Sequence, residues 1–184
     1  MRRIPALDPA DAPEKSRELL TDIITRHDSV GDMVSSMAHS PALLQGYLDF
    51  SRALKRVKLP RALSEKISLA AQEWIGCGTC LAAHTEAARA NGVSDSDIAL
   101  ARQGTAVDPR EAALIAFAVR VLAEPSGISD DDVAELRAHG WSDRVIAEVV
   151  GVVTLNLLTG AFNLVAGIEP ADTALQARRE ALPL

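Results

Sequence analysis

Three times in its second half the chain repeats one short phrase: Gly-Val-Ser-Asp at 92–95, Gly-Ile-Ser-Asp at 127–130 and Gly-Trp-Ser-Asp at 140–143. Glycine accepts the left-handed conformation in which helices commonly end, and a serine two residues later can cap the next helix. Each phrase therefore reads as a helix stop followed at once by a helix start. In the first two, Asp97 and Asp132 follow the serine by three residues, close to a capping box and favourable to the helix dipole; Val145 stands there in the third. These are the punctuation marks of a helical bundle with short connectors, not a solenoid repeat.

The first half carries the same kind of signal. The opening "MRRIPALDPADA" reads as an extended arm, and Leu19, Leu20, Ile23 and Ile24 after Pro13 mark an amphipathic helix. Ser40 and Pro41 form a helix start, with Leu43, Leu44, Tyr47, Leu48 and Leu54 at helical spacing behind them. Pro60 and Asp108-Pro109 open two more helices. No alternating strand pattern of useful length occurs, and alanine and leucine, which lose little freedom in a helix, dominate. The expected fold class is all-α, a single-domain helical bundle.

With 184 residues, 48% hydrophobic and 24% charged, the chain can bury a core without cross-links. A formal charge of −6 argues against a nucleic-acid partner, since phosphate binding needs a basic surface. Arg2-Arg3 resembles the start of an export signal, but Pro5, Asp8 and Asp11 fall where the apolar region should follow, so a cytoplasmic location is expected. Residues 145–168 are long and apolar enough to span a bilayer, yet Glu148, Thr154, Asn156, Thr159 and Asn163 interrupt them. A buried core helix or a subunit-interface helix fits that pattern better than a membrane span.

Chemistry concentrates in "EKISLAAQEWIGCGTCLAAHTEAARANG", residues 65–92, which holds the only two cysteines of the chain. On a helix over 77–90, Cys77 and Cys80 would have Cα atoms about 5 Å apart, within the range of a disulfide. Cys80 and His84, four apart, would share one face, whereas Cys77 and His84 would lie about 10 Å apart. His84 can therefore serve Cys80 as proton acceptor or donor and cannot easily serve Cys77. Cys80 could attack a peroxide oxygen and become a sulfenic acid, with which Cys77 would condense to a disulfide. Cys77, at the helix N-terminus, is also placed to attack first in thioredoxin-style exchange. Two other readings stand beside these. Cys77, Cys80, Leu81, His84 and Ala88 share one stripe and could be plain core positions. The thiolates and His84 could also hold zinc, although no second Cys-x-x-Cys completes a four-ligand site.

The arrangement Glu65, eleven residues, Cys77-Gly-Thr-Cys80, three residues, His84 resembles the motif of alkylhydroperoxidase D-like (AhpD-like) proteins of the carboxymuconolactone decarboxylase superfamily. The similarity to the family core runs from about Leu59 to Leu122. The peroxidase-related branch is similar over most of the chain, including "IPALDPADAP", "HSPALL" and "HGWSD". On that resemblance the chain divides into an arm and helices (1–58), the core (59–122), and C-terminal helices with a tail (123–184). The resemblance implies a homo-oligomer, commonly a trimer or hexamer, and peroxidase chemistry without a cofactor. Cys80 would be the attacking thiol, Cys77 the resolving one, and His84 with Glu65 a proton relay. The substrate would be a hydroperoxide and the electron donor a dithiol of the lipoamide type. Thr79 departs from the pattern, because the best-known peroxidases of the family carry a second histidine there. Decarboxylase members lack the cysteine pair, which disfavours lactone decarboxylation. A non-catalytic redox-sensing module is the alternative function.

Four further expectations concern single residues. The apolar face of the helix after Pro60 would be Leu63, Ile67, Ala70, Ala71 and Trp74, which turns Glu65 toward solvent. A relay through Glu65 requires a chain reversal at Gly76-Cys77-Gly78, with arms unequal by about a turn and a water bridging them. His139 would sit at a helix C-terminus, with His27 and His39 in loops or at helix ends. Asn156 and Asn163, two turns apart on one face of the apolar helix, would make hydrogen bonds at a subunit interface.

Overall fold

The Gly-x-Ser-Asp phrases break the chain where the sequence places them, with one variation. A computed structural model describes residues 2–170. Ser94, Ser129 and Ser142 each accept a backbone N–H from the residue three further on, and Ser129 with Asp132 completes a full capping box. Gly92 and Gly140 take the left-handed conformation, with φ of 79° and 81°. Gly127 does not: the preceding helix has already ended at Ala123, and Gly127 closes a one-turn 3-10 helix, Pro125–Gly127.

Nine α-helices make up the fold among the described residues: α1 Glu14–His27, α2 Asp32–Met37, α3 Pro41–Leu54, α4 Arg61–Ile75, α5 Gly78–Ala90, α6 Asp95–Arg102, α7 Pro109–Ala123, α8 Asp130–Ala138 and α9 Asp143–Ala166. No strand occurs among them. Caps and prolines set the starts: Ser40 accepts from Leu43 ahead of α3, Pro60 precedes α4, and Asp108 accepts from the Arg110 N–H ahead of α7. The N-terminal arm crosses to the far end of the bundle, where the Arg3 backbone N–H and guanidinium bond carbonyls of the last turn of α9. The final stretch of the expected C-terminal segment, 171–184, lies outside the described residues.

Helix α4 is the axis of the molecule, packed against α5, α6, α7 and α9. Leu63, Ile67 and Ala70 join Leu114, Ile115, Val149 and Val153 in the main core between α4, α7 and α9. Leu69 faces the other way, with Ala88, Ile98 and Ala101 between α4, α5 and α6. The expected apolar face is buried at Leu63, Ile67, Ala70 and Ala71, but burial on further sides of α4 overturns the placement of Glu65 and Trp74. Glu65, Ser68 and Gln72 are buried together with the apolar residues, and Trp74, assigned to the apolar face, is 52% exposed. A helix enclosed by neighbours has no solvent face on which to leave its polar residues.

Helix α9 alone among the described helices is long and apolar enough to cross a membrane. It packs along one side on α2, α3, α4, α5, α7 and α8. One face buries Val145, Val149, Val152, Asn156, Gly160 and Asn163. The opposite face leaves Val150, Thr154, Leu157, Ala161 and Leu164 exposed, spaced alternately four and three apart.

Candidate functional site

The reversal needed to bring Glu65 to the cysteines is present. Gly76 ends α4 in the left-handed conformation, φ 79°, and Cys77 caps α5 in extended backbone. The Cys77 sulfur accepts the Cys80 backbone N–H at 3.3 Å. The two sulfurs are joined as a disulfide, with Cα atoms 5.3 Å apart, the separation expected for one helical turn. Both cysteines are buried. Only Cys80 lines the adjoining cavity, a recess of about 420 Å³ between α3, α4, α5 and α9.

Glu65 lies in the wall of that cavity, 2% exposed. Its Oε2 accepts from Nδ1 of His84 at 2.7 Å, and its Oε1 pairs with Nη2 of Arg61 at 2.6 Å. The solvent-facing Glu65 and the bridging water expected from helix geometry are therefore both corrected: the contact to His84 is direct. Axial counting left out the length of the two side chains, and placement by an amphipathic face fails for an enclosed helix. With Nδ1 committed to Glu65, Nε2 is the nitrogen of His84 left to exchange a proton. His84 sits one turn after Cys80 on α5 and lines the same cavity, so Cys80, His84 and Glu65 meet there. No hydrogen bond joins His84 to a sulfur among the described residues. Arg61, one turn before Glu65, was not singled out from the sequence, although its i,i+4 spacing to Glu65 is the signal that finds it.

Helix α9 supplies residues that the sequence reading placed elsewhere. Asn163, expected at a subunit interface, points inward, and its Nδ2 donates to the Cys80 sulfur at 3.2 Å and lies 3.9 Å from that of Cys77. Asn156 also points inward. Its Nδ2 donates to Ser68 Oγ at 3.1 Å, and its Oδ1 accepts from Gln72 Nε2 at 2.8 Å. The two helices approach closely at Gly160, where a Cβ would meet Gln72 Oε1 at 2.6 Å. Both asparagines lie on the face of α9 that carries Val149 and Val153, a sequence signal that already pointed them inward. Thr79, in the position of the family's second histidine, donates instead to the Ile168 carbonyl at 3.0 Å and ties the end of α9 to the first turn of α5.

The remaining histidines lie at helix ends, as expected. His139 caps the C-terminus of α8, His27 ends α1, and His39 precedes α3 with Nε2 3.0 Å from the Pro5 carbonyl oxygen. No group of three His, Cys, Asp or Glu side chains among the described residues has the geometry to hold a metal ion. Tyr47, on the α3 side of the cavity, has a phenol pushed above its ordinary value by burial, against the opposing effect of a hydrogen bond with Ser51.

Residues 41–124 match the model of the carboxymuconolactone decarboxylase family. No curated protein matches the chain. Solved structures share the fold over nearly the full length. One is an alkylhydroperoxidase AhpD core, described as an uncharacterized peroxidase-related protein from Ralstonia eutropha. It is 21% identical with a TM-score of 0.80, covering 95% of this chain and 94% of that one. An uncharacterized peroxidase-related protein from Silicibacter is 20% identical with a TM-score of 0.75, over 92% and 93% of the two chains. The debrominase Bmp8 is 17% identical with a TM-score of 0.73, over 97% and 96%. A cysteine-to-alanine variant of Bmp8, in complex with 2,3,4-tribromopyrrole, is similar to the same degree. At these identities the likeness speaks for the fold, and the family match speaks for residues 41–124. Residues 41–124 thus match the carboxymuconolactone decarboxylase family, and the chain has the AhpD-like helical fold.

Proposed function

We propose that the protein is a thiol-dependent peroxidase that reduces organic hydroperoxides through a Cys77/Cys80 dithiol–disulfide cycle. The observation that carries this reading is one cavity bordered by a sulfur of a disulfide-forming pair and by a histidine held on a buried glutamate. In the reduced protein the Cys80 thiolate attacks the terminal oxygen of the hydroperoxide. An S–O bond forms, the O–O bond breaks, and the alkoxide leaves as an alcohol with a proton from His84. The Cys77 thiol then attacks the sulfenic sulfur of Cys80; the S–O bond breaks, and the hydroxyl leaves with the thiol proton as water while the disulfide closes. An external dithiol of the lipoamide type restores both thiols by exchange.

Cys80 is assigned the attack because it borders the cavity and Cys77 does not. An organic substrate is assigned because about 420 Å³ is room for a small organic molecule, far more than hydrogen peroxide needs. The same dimensions admit a second reading, removal of bromine from a small organic molecule, the activity for which Bmp8 is named. Both readings use the same dithiol. The protein acts in the cytoplasm as a homo-oligomer, a trimer or hexamer, with the exposed heptad-like seam of α9 as its contact surface.

Consumption of cumene hydroperoxide with dihydrolipoamide as donor tests the proposal, with 2,3,4-tribromopyrrole as the competing substrate. Peroxide turnover by the wild type, lost in a folded Cys80→Ser variant, is the expected result. Turnover retained in that variant would reject the assignment. Disulfide formation without turnover of either substrate would favour a redox sensor. Stoichiometric zinc on both thiols in protein purified without chelator would replace the redox reading altogether.

A further inference from the structure

We infer that Asn163 is a catalytic residue of this site: its amide N–H holds the Cys80 sulfur as thiolate, and its carbonyl oxygen accepts the hydrogen of the incoming hydroperoxide. The inference rests on the peroxidase reading for its second half only.

The argument begins with a comparison inside one helix. Asn156 and Asn163 lie two turns apart on the buried face of α9, each 5% exposed. Asn156 behaves as a structural amide: Nδ2 donates to Ser68 Oγ and the Val152 carbonyl, and Oδ1 accepts from Gln72. Both ends are satisfied inside the protein. Asn163 differs at both ends. Its Nδ2 is spent on sulfur, 3.2 Å from Cys80 and 3.9 Å from Cys77. Its Oδ1 is buried with no hydrogen-bond partner among the described residues. A buried polar atom without a partner is costly and uncommon in a native fold, and of the three such side-chain atoms among the described residues, with Ser16 Oγ and Gln72 Oε1, only that of Asn163 belongs to a residue lining the cavity.

The donor end has a chemical purpose. A neutral amide N–H favours the charged form of the atom it points to, and does so more strongly where water is excluded. Asn163 is nearer Cys80 than Cys77, and it makes Cys80 the better thiolate on the cavity side. The acceptor end has a partner available in the proposed reaction. An alkyl hydroperoxide carries one hydrogen, on the terminal oxygen, and that oxygen is the one the thiolate attacks. Accepted by Oδ1 of the amide whose Nδ2 touches the sulfur, the O–H oxygen is held beside Sγ of Cys80. The bond that forms is S–O, the bond that breaks is O–O, and the leaving alkoxide takes its proton from His84. Asn163 neither gains nor loses a proton.

Gly160, one turn earlier, accounts for the reach. With hydrogen there in place of a side chain, α9 lies close enough to α4 for Asn163 to touch sulfurs on α5. The position is set by packing, not by a mobile loop.

The test is the pH dependence of Cys80 alkylation by iodoacetamide in fully reduced protein, in Cys77→Ser background, for wild type, Asn163→Leu and Asn163→Asp. Leucine keeps the volume and removes both polar ends, and aspartate keeps the shape and replaces the donor with a charge. Thermal melting of each reduced variant establishes that it is folded. The midpoint is expected to rise by about one pH unit in Asn163→Leu and further in Asn163→Asp, since loss of a hydrogen bond to the thiolate favours the thiol. An unchanged midpoint in both folded variants would overturn the donor role. The acceptor role is read, with both cysteines present, from kcat/KM for cumene hydroperoxide above the variant's midpoint, where all of Cys80 is thiolate. A remaining loss of about tenfold in Asn163→Leu supports it, and full recovery at high pH would overturn it. If the wild type turns over no hydroperoxide, the acceptor half falls with the peroxidase reading and the alkylation result still decides the donor half.

Discussion

Replacing Glu65 by glutamine separates two things its carboxylate can do: hold the fold together and steady a charge on His84. The side chain is 2% exposed and accepts from Arg61 at 2.6 Å and from His84 at 2.7 Å. Hydrogen bonds to a charged group contribute about 1.5–3 kcal/mol each, but desolvating the carboxylate consumes a comparable amount. Glutamine removes both, and Arg61, with a side chain 64% exposed, returns to water. Stability should therefore change by no more than about 1 kcal/mol, or about 4 °C in melting temperature for a chain of this size. Activity should suffer more. When His84 takes up a proton, its new charge lies about 4 Å from the carboxylate, worth about 4 kcal/mol at an effective dielectric constant of 20. The His84 side chain is 28% exposed, so screening reduces that to about 2 kcal/mol, a rate loss of about 30-fold. Steady-state peroxide reduction at saturating dithiol, with calorimetry on the same preparations, measures both quantities. Activity within twofold of wild type would show that the Glu65 charge has no part in proton transfer. A melting temperature lowered by more than about 10 °C would show that the carboxylate is chiefly structural.

Gly160→Ala should destabilise the protein by about 1–2 kcal/mol despite the better helix propensity of alanine, because the new methyl meets Gln72 Oε1 at 2.6 Å and Ile75 Cγ2 at 2.9 Å. A melting temperature above wild type would show that α4 and α9 separate without cost. Leu157→Lys places a charge in the middle of the exposed α9 seam and should shift the protein to smaller species in sedimentation velocity; an unchanged distribution would remove that seam from the subunit contact. Asp132 is held below the usual carboxylate range, first by the Ser129 backbone N–H, then by the Ser129 hydroxyl and Arg120. Its contribution is present above the unfolded value and lost as pH falls through the lower folded one, so the stability gap between wild type and Asp132→Asn should shrink only in acid. A gap of constant size in urea melts from pH 7 down to pH values of about 2 would refute that origin.

What could be read in advance divides by range along the chain. Helix starts at Ser40, Ser94, Ser129 and Ser142 were legible because a cap is a contact between residues three apart. The spacing of Cys77, Cys80 and His84 was legible for the same reason, since α5 and its N-cap carry all three. Glu65 was misplaced because its burial depends on α5 and α9 closing over α4, and hydrophobic periodicity describes only helices with one wet face. Asn163 was assigned to a subunit interface because its partner lies 83 residues away on another helix. Gly127 is expected to end a helix, but α7 ends at Ala123, ahead of Pro125. The miss at Glu65 turns on contacts between distant helices, whereas that at Gly127 turns on Pro125, two residues before it.

The two sulfurs occupy different surroundings, and the difference bears on how the cycle would turn over. Cys77 is 1% exposed, caps α5, and accepts the Cys80 backbone N–H, so a negative charge on it is held by a backbone donor at a helix N-terminus. Cys80 borders the cavity and is held by a side chain from α9. In thiol–disulfide exchange the better-stabilised thiolate is the faster leaving group, and the attacked sulfur is the one the incoming thiol can reach. Each sulfur has an N–H donor, so access decides the direction: attack falls on Cys80 and Cys77 leaves. On the proposed reading, hydroperoxide and reducing dithiol enter by one cavity and both react at Cys80, while Cys77 closes the disulfide in one half-cycle and departs from it in the other. A cavity of about 420 Å³ admits either reactant singly, which makes oxidant and reductant competitors for one form of access and ties the catalytic order to the oxidation state of the pair.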